Sequence, residues 1–183
     1  MSRVGRRVVG QGRTCEAETA ILALPSDANS IGTVFGGRIL QLMDMVTTIA
    51  ARRHTGARVA TVAADNVRFL KPITVGQVMI LKAKVNRAFG TSMEVGVKVW
   101  AQDTYTNSQY HACSGYFTFV ALGEDGRPRR VPDVPLETED DRRRWTEADE
   151  RRRLRLGPRA QVNEEGKHAQ PQAEIAPFGQ DRL

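Results

Sequence analysis

The chain has 183 residues, 40% of them hydrophobic and 26% charged, with a formal net charge of +6. This is enough for one domain with a sizeable core plus extensions, and no apolar run is long enough to cross a bilayer. The basic residues gather in an N-terminal arm that has no acid (Arg3, Arg6, Arg7, Arg13), and many others fall after Gly126, mixed with acids. They form no basic stripe with interleaved aromatics, which argues against nucleic acid and leaves room for a polyanionic small molecule.

Residues 1–13 read as a flexible arm. The arm lacks an apolar h-region, so no secretory signal is expected, although a short basic presequence stays open. The main domain is expected over 14–122. Alternation from Cys15 to Leu24 predicts a first strand, and Pro25, Ser26, Asp27 and Asn29 mark a loop. Ile39, Met43, Val46 and Ala50 follow helical spacing over 36–54, Leu42 and Ile49 widen that face, and Gly56 closes the helix. Four strands follow over 58–70, 77–89, 92–101 and 110–122, the last three joined by short connections into an antiparallel meander. One helix facing one sheet is an α+β domain. An extension over 123–156 begins Pro- and Arg-rich and then forms a charged helix at 137–156, with Glu147–Arg151 and Asp149–Arg153 at favourable spacing. That helix reads as a solvated surface element or a partner-binding one. Residues 157–183 are polar and aperiodic, and disorder is expected there.

Gly36 and Gly37 open the central helix although glycine weakens helix by ~1 kcal/mol relative to alanine. They either expose first-turn N–H groups to an anion or polarised carbonyl, or make room for a packed strand. Asp44 has no basic residue three or four positions away. It is either a buried carboxylate with a raised pKa, the profile of a general base or nucleophile, or an acid on the wet face. Asn29 by itself reads as a turn residue. Asp65 is a second site carboxylate or a partner of Arg68. His54 ends the helix, where a cation suits the dipole, and His111 and His168 match no motif. Cys15 and Cys113 have no metal or redox spacing and read as reduced thiols of a cytoplasmic protein. Metal-binding, serine-hydrolase-elbow and phosphate-loop signatures are absent.

The stretch N-S-I-G-T-V-F-G-G-R-I-L-Q-L-M-D-M at 29–45 resembles the hotdog-fold acyl-CoA thioesterases, specifically the bacterial and brain-type acyl-CoA hydrolases. V-A-A-D-N-V-R-F-L-K-P-I at 62–73, T-S-M-E-V-G-V-K-V at 91–99 and Y-F-T-F-V-A-L-G-E-D-G-R-P-R-R-V-P at 116–132 extend the match, and L-E-T-E-D-D-R-R-R-W resembles the family's C-terminal extension. The resemblance implies a long helix wrapped by a curved antiparallel five-stranded sheet in the order 1-3-4-5-2. It implies hydrolysis of acyl-CoA to a carboxylic acid and coenzyme A, with no cofactor beyond the coenzyme A of the substrate. Asp44 maps onto the family's catalytic Asp, as general base or nucleophile, and Asn29 onto its catalytic Asn, supplied by the opposite chain. The Gly37 N–H would polarise the thioester oxygen with Gly36 allowing close approach. Asp65, Phe69, Lys71, Thr91 and Ser92 are expected to contact substrate. A dimer, assembled further into a hexamer, is implied, with neither nucleic acid nor membrane as partner. The alternatives are a non-catalytic acyl-CoA-binding or regulatory hotdog domain, and a dehydratase, which the lack of a His between Asn29 and Asp44 disfavours.

Overall fold

The computed structural model describes residues 15–157. The expected arm and, apart from Gly157, the expected tail lie outside these residues. Strand β1 (Glu16–Leu22) leads through a 3-10 turn at Pro25–Asp27 into helix α1 (Gly36–Thr55). Strands β2 (Arg58–Phe69), β3 (Val78–Phe89), β4 (Ser92–Gln102) and β5 (Gln109–Leu122) follow, and then helix α2 (Glu139–Leu156). The five strands form one antiparallel sheet in the order β1-β3-β4-β5-β2, as the resemblance implies. β1 and β2 are its edges.

Alternation assigns the two faces of the sheet. Met79, Leu81 and Val85 of β3, Val95, Val97 and Val99 of β4, and Phe117 and Phe119 of β5 are buried. They share one core with Ile39, Leu42, Met43, Val46 and Ala50 of α1. Gly115 shows how closely the layers meet: a Cβ there would lie 3.0 Å from Met43 Cε and 3.1 Å from Val67 Cγ2. Helix α1 ends at Gly56, whose φ of 62° is the left-handed conformation that glycine adopts without strain.

Three expectations are corrected. Ile49 does not join the buried face; it is 43% exposed beside Met45, itself 54% exposed. His54 lies in the last turn of α1 but does not face the solvent. It is buried, its Nε2–H donates to the Pro132 carbonyl (2.9 Å), and Cys15 Sγ lies 3.2 Å from Nδ1. Nor is the first part of α2 merely solvated. Thr138 and Asp141 cap it reciprocally, Asp141 and Ala148 are buried, and Asp141 binds Lys84 at 2.6 Å. Arg87 Cζ lies 3.4 Å from the Trp145 ring centroid, a cation–π contact. The chain divides into two units at Ala148/Asp149, within α2. Beyond that point Arg153 pairs with Glu150 at 2.6 Å.

Candidate active site

The loop before α1 is built around Asn29. Its Oδ1 accepts from the N–H groups of Ile31 and Thr33 (3.1 Å each), and its Nδ2 donates to Thr33 Oγ1 (2.8 Å). The side chain is thus a turn-former, as its residue type suggests. With the acceptor occupied, what remains for a ligand is the second Nδ2–H. Arg38 Nε donates to Asp27 Oδ1 (2.9 Å) and Phe35 N–H to Asp27 O (2.8 Å), which ties the loop to the first turn of α1. No side chain caps α1 at Phe35, and its first turn contains no acid. The N–H groups of Gly36 and Gly37 therefore open outward with the positive end of the helix dipole behind them.

Beside this tip lies a cavity of about 320 Å³, lined in part by Gly36, Ile39, Phe69, Lys71 and Ile73. A Cβ on Gly36 would lie 3.4 Å from Phe69 Cζ, an ordinary contact, whereas one on Gly37 would lie 3.0 Å from Phe35 Cε1. The Lys71 ammonium sits 5.5 Å from the Tyr110 ring centroid, and Tyr110 is held by bonds to Pro72 O and Gln77 Oε1.

Asp44 is half-buried rather than fully enclosed, and it has a partner. Thr61 Oγ1 on β2 donates to its Oδ1 at 2.8 Å. Oδ2 has no partner among the described residues. Nothing in the local helix sequence could reveal this bond, because Thr61 lies 17 positions away on another element.

One protomer does not gather the expected residues at one point. Asp44 stands eight positions beyond Gly36 and seven beyond Gly37, roughly 10–12 Å along the helix axis. Thr61 pairs with Phe119 while Phe69 pairs with Cys113, a separation of roughly 20 Å along the sheet. Thr91 and Ser92, at the hairpin between β3 and β4, share the Thr61 end: Ser92 pairs with Val120. Gly36, Phe69 and Lys71 thus line one cavity, with Gly37 next in the helix and Asn29 in the loop that leads to it, while Asp44 with Thr61 lies apart. Asp65 joins neither. It pairs with Tyr116, on the face of the sheet opposite α1.

The thiols offer no competing nucleophile. Burial pushes Cys113 up to about 11 and also raises Cys15. Among the described residues no group of three His, Cys, Asp or Glu could hold a metal ion, and no helix is long and apolar enough to cross a membrane.

Residues 31–107 match the model of the Thioesterase superfamily. Mouse acyl-coenzyme A thioesterase 11 is 37% identical over 80% of this chain, which spans only 25% of the mouse protein's length. An uncharacterized acyl-CoA thioester hydrolase of Zymomonas mobilis is 38% identical over 64% of this chain and 78% of its own. An apo-hexameric acyl-CoA thioesterase superposes with a TM-score of 0.75 at 33% identity, over 78% of this chain and 91% of that one. The Staphylococcus aureus acyl-CoA hydrolase in complex with butyryl coenzyme A and coenzyme A gives 0.74 at 33% identity, over 82% and 92%. That hydrolase has also been solved with a threonine, an aspartate and an asparagine each changed to alanine.

Proposed function

Because the chain belongs to the hotdog-fold acyl-CoA thioesterases, we propose that it hydrolyses acyl-CoA to a free carboxylic acid and coenzyme A in a site shared between two copies. The observation that carries this reading is the separation of the Gly37 tip from Asp44 within one chain. A thioester carbonyl cannot lie within hydrogen-bond reach of the Gly37 N–H and of Asp44 when the same helix holds them roughly 10 Å apart. A second copy related by a two-fold axis, its α1 antiparallel to the first, brings Asp44 of one chain to Asn29 and Gly37 of the other. The surface suits that arrangement. β2 is an unpaired edge, and Met45, Ile49 and Val62 leave apolar side chains exposed on α1 and β2.

The roles follow from the donors and acceptors. Asp44 is an acceptor whose Oδ1 is fixed by Thr61 and whose Oδ2 remains available. It takes the proton of a water attacking the thioester carbon, or attacks that carbon itself to give an anhydride that water then opens. The Gly37 N–H and the spare Nδ2–H of Asn29 are donors and stabilise the charge that develops on the thioester oxygen. Collapse of the tetrahedral intermediate releases the coenzyme A thiolate, which takes up a proton. Phe69 and Lys71 line the approach to the helix tip, with Lys71 facing the anionic part of the substrate; Thr91 and Ser92 flank the Asp44 end. Asp65 has no part in this scheme. The three residue types altered in the Staphylococcus aureus hydrolase are those of Asn29, Asp44 and Thr61. By analogy with the hexameric neighbour, the dimer assembles further into a hexamer, and reduced Cys15 and Cys113 suit the cytoplasm.

The test is release of coenzyme A thiol from acyl-CoAs of increasing chain length. Turnover by the wild-type chain and its loss in Asp44→Ala support the reading. Full turnover in Asp44→Ala, or none in the wild type with any chain length, contradicts it. Label found in the Asp44 side chain after single-turnover hydrolysis in ¹⁸O-water identifies direct attack with water opening the anhydride at the Asp44 carbonyl; opening at the acyl carbonyl, like general-base catalysis, leaves the side chain unlabelled.

A further inference from the structure

We infer that Arg38, clasped by Asp27, is a positioning residue: it fixes the spacing between Asn29 and the Gly37 N–H, a role that rests on the acyl-CoA thioesterase reading above. Asp27 lies two residues before Asn29, and Arg38 follows Gly37 directly. Arg38 is also the only cation between Gly36 and Ala51. It stands in the first turn of α1, where the helix dipole disfavours a positive charge, and that turn contains no acid to offset it. The offsetting charge comes from outside the helix, from Asp27.

Asp27 grips both sides of the glycine pair. Its carbonyl accepts the N–H of Phe35, just before Gly36, at 2.8 Å. Its Oδ1 accepts Nε–H of Arg38, just after Gly37, at 2.9 Å. Its Oδ2 accepts the N–H of Leu24 at 3.0 Å, so both carboxylate oxygens are engaged and the group cannot turn freely. The Asp27 side chain is 10% exposed. Gln41 steadies the guanidinium from the helix, its Oε1 accepting Nη1–H at 2.8 Å. Glycine leaves a backbone more freedom than any other residue, so Gly36 and Gly37 would make a soft tip without these restraints. Asn29 hangs from the same residue through Ala28 alone, and its own Oδ1 holds the N–H groups of Ile31 and Thr33. The two donors proposed for the thioester oxygen therefore share one anchor.

The Arg38 side chain is 33% exposed, and an ion pair so open to solvent adds little to global stability. Its effect is local. Donors aimed at a developing charge act only when they are in place beforehand, and a small misplacement slows the reaction rather than weakening substrate binding. Loss of the clasp should therefore appear in kcat. An Arg38 that held an anionic group of the substrate directly would appear in KM instead.

The experiment compares Arg38→Met, Arg38→Lys, Asp27→Asn and the double variant Asp27→Asn/Arg38→Met in the full chain, by acyl-CoA hydrolysis, urea unfolding and hydrogen exchange read by mass spectrometry. Methionine keeps the apolar stem without the charge, and lysine carries an ammonium within reach of Asp27. Arg38→Met should lose about tenfold or more in kcat, with KM within about twofold of wild type and a near-wild-type unfolding midpoint. Arg38→Lys should recover most of the lost kcat. The double variant should lose no more than the worse single variant, because each breaks the same bond. Exchange over residues 29–37 should quicken about tenfold in Arg38→Met while β4 stays unchanged. A raised KM at wild-type kcat would make Arg38 a substrate contact and overturn the inference. So would wild-type kcat in Arg38→Met, an equal loss in Arg38→Lys, or additive losses in the double variant. Unchanged exchange over 29–37 defeats the clasp whether or not the chain hydrolyses thioesters. A wild-type chain without turnover whose exchange still responds to Arg38→Met would defeat the thioesterase reading and leave the clasp standing.

Discussion

Thr61 Oγ1 donates to Asp44 Oδ1 across 2.8 Å, joining the edge strand β2 to the third turn of α1. The bond fixes one oxygen of the carboxylate and directs the other. A hydrogen bond to a charged group contributes about 1.5–3 kcal/mol, so Thr61→Ala is predicted to lower kcat about ten- to hundredfold. Thr61→Ser keeps the hydroxyl and should recover most of that loss. Thr61→Val keeps the shape without the donor and should behave like alanine. Steady-state kinetics of the three variants decide the matter; wild-type kcat in Thr61→Val would remove the hydroxyl from the mechanism.

The two glycines at the helix tip should respond differently to alanine. At Gly36 the new methyl fits against Phe69 at 3.4 Å; at Gly37 it meets Phe35 at 3.0 Å. Phe35 is exposed and can turn aside, so both variants should fold, with stability unchanged or raised by up to about 1 kcal/mol. Activity should separate them. Gly37→Ala crowds the N–H proposed to bind the thioester oxygen and should lose about tenfold or more in kcat/KM, while Gly36→Ala should lose less. Urea unfolding beside kcat/KM measures both effects, and equal activity in the two variants would argue that the tip only makes room for packing.

The anchor of α2 gives a prediction about pH. The Lys84 ammonium, then the Thr138 amide, hold Asp141 well below the usual carboxylate range. Burial works against the Lys84 charge, but its bonds to Asp141 and Glu16 outweigh this and raise it above the ordinary lysine value. A depressed carboxylate stabilises the fold above its unfolded value, about pH 4, and loses that contribution as pH falls through its folded value. A raised lysine stabilises below its unfolded value, about pH 10, and loses that contribution as pH rises through its folded value. Asp141→Asn should therefore cost about 1–3 kcal/mol on a plateau between roughly pH 5 and 9. The difference should shrink in acid, where the wild-type carboxylate is protonated. Urea unfolding at pH 7 and at acid pH checks this; a gap that does not narrow in acid would show that the ion pair is not its source.

Much of the fold was legible because its signals are local. Alternation marks the strands, Ile39, Met43, Val46 and Ala50 mark the buried face of α1, and Gly56 marks its end. What escaped sequence reading depends on contacts between elements. Asp44 looked partnerless because helical spacing surveys only neighbours three and four positions away, and its partner lies on β2. Ile49 looked like core because apolarity does not tell which neighbour covers a face; with Met45 and Val62 it lies on the surface proposed for a second copy. His54 read only as a helix-end residue because nothing local announces Pro132 or Cys15 beside it. α2 looked solvated because Lys84 and Arg87, which hold it, are charged residues of another element. The chemistry of Asn29 was half visible: its turn-forming character is local, but which hydrogen it leaves for a ligand required the bonds to Ile31 and Thr33.

Each site is proposed to take Asp44 from one chain and Asn29 from another. Asp44→Ala and Asn29→Ala should each be inactive alone. Mixed in equal amounts and allowed to exchange subunits, half the dimers become mixed, and each of these holds one site with both residues intact. Acyl-CoA hydrolysis should return to roughly a quarter of the wild-type rate. A mixture that exchanges subunits, as shown by mass spectrometry of the assembled species, yet stays inactive would contradict the shared site.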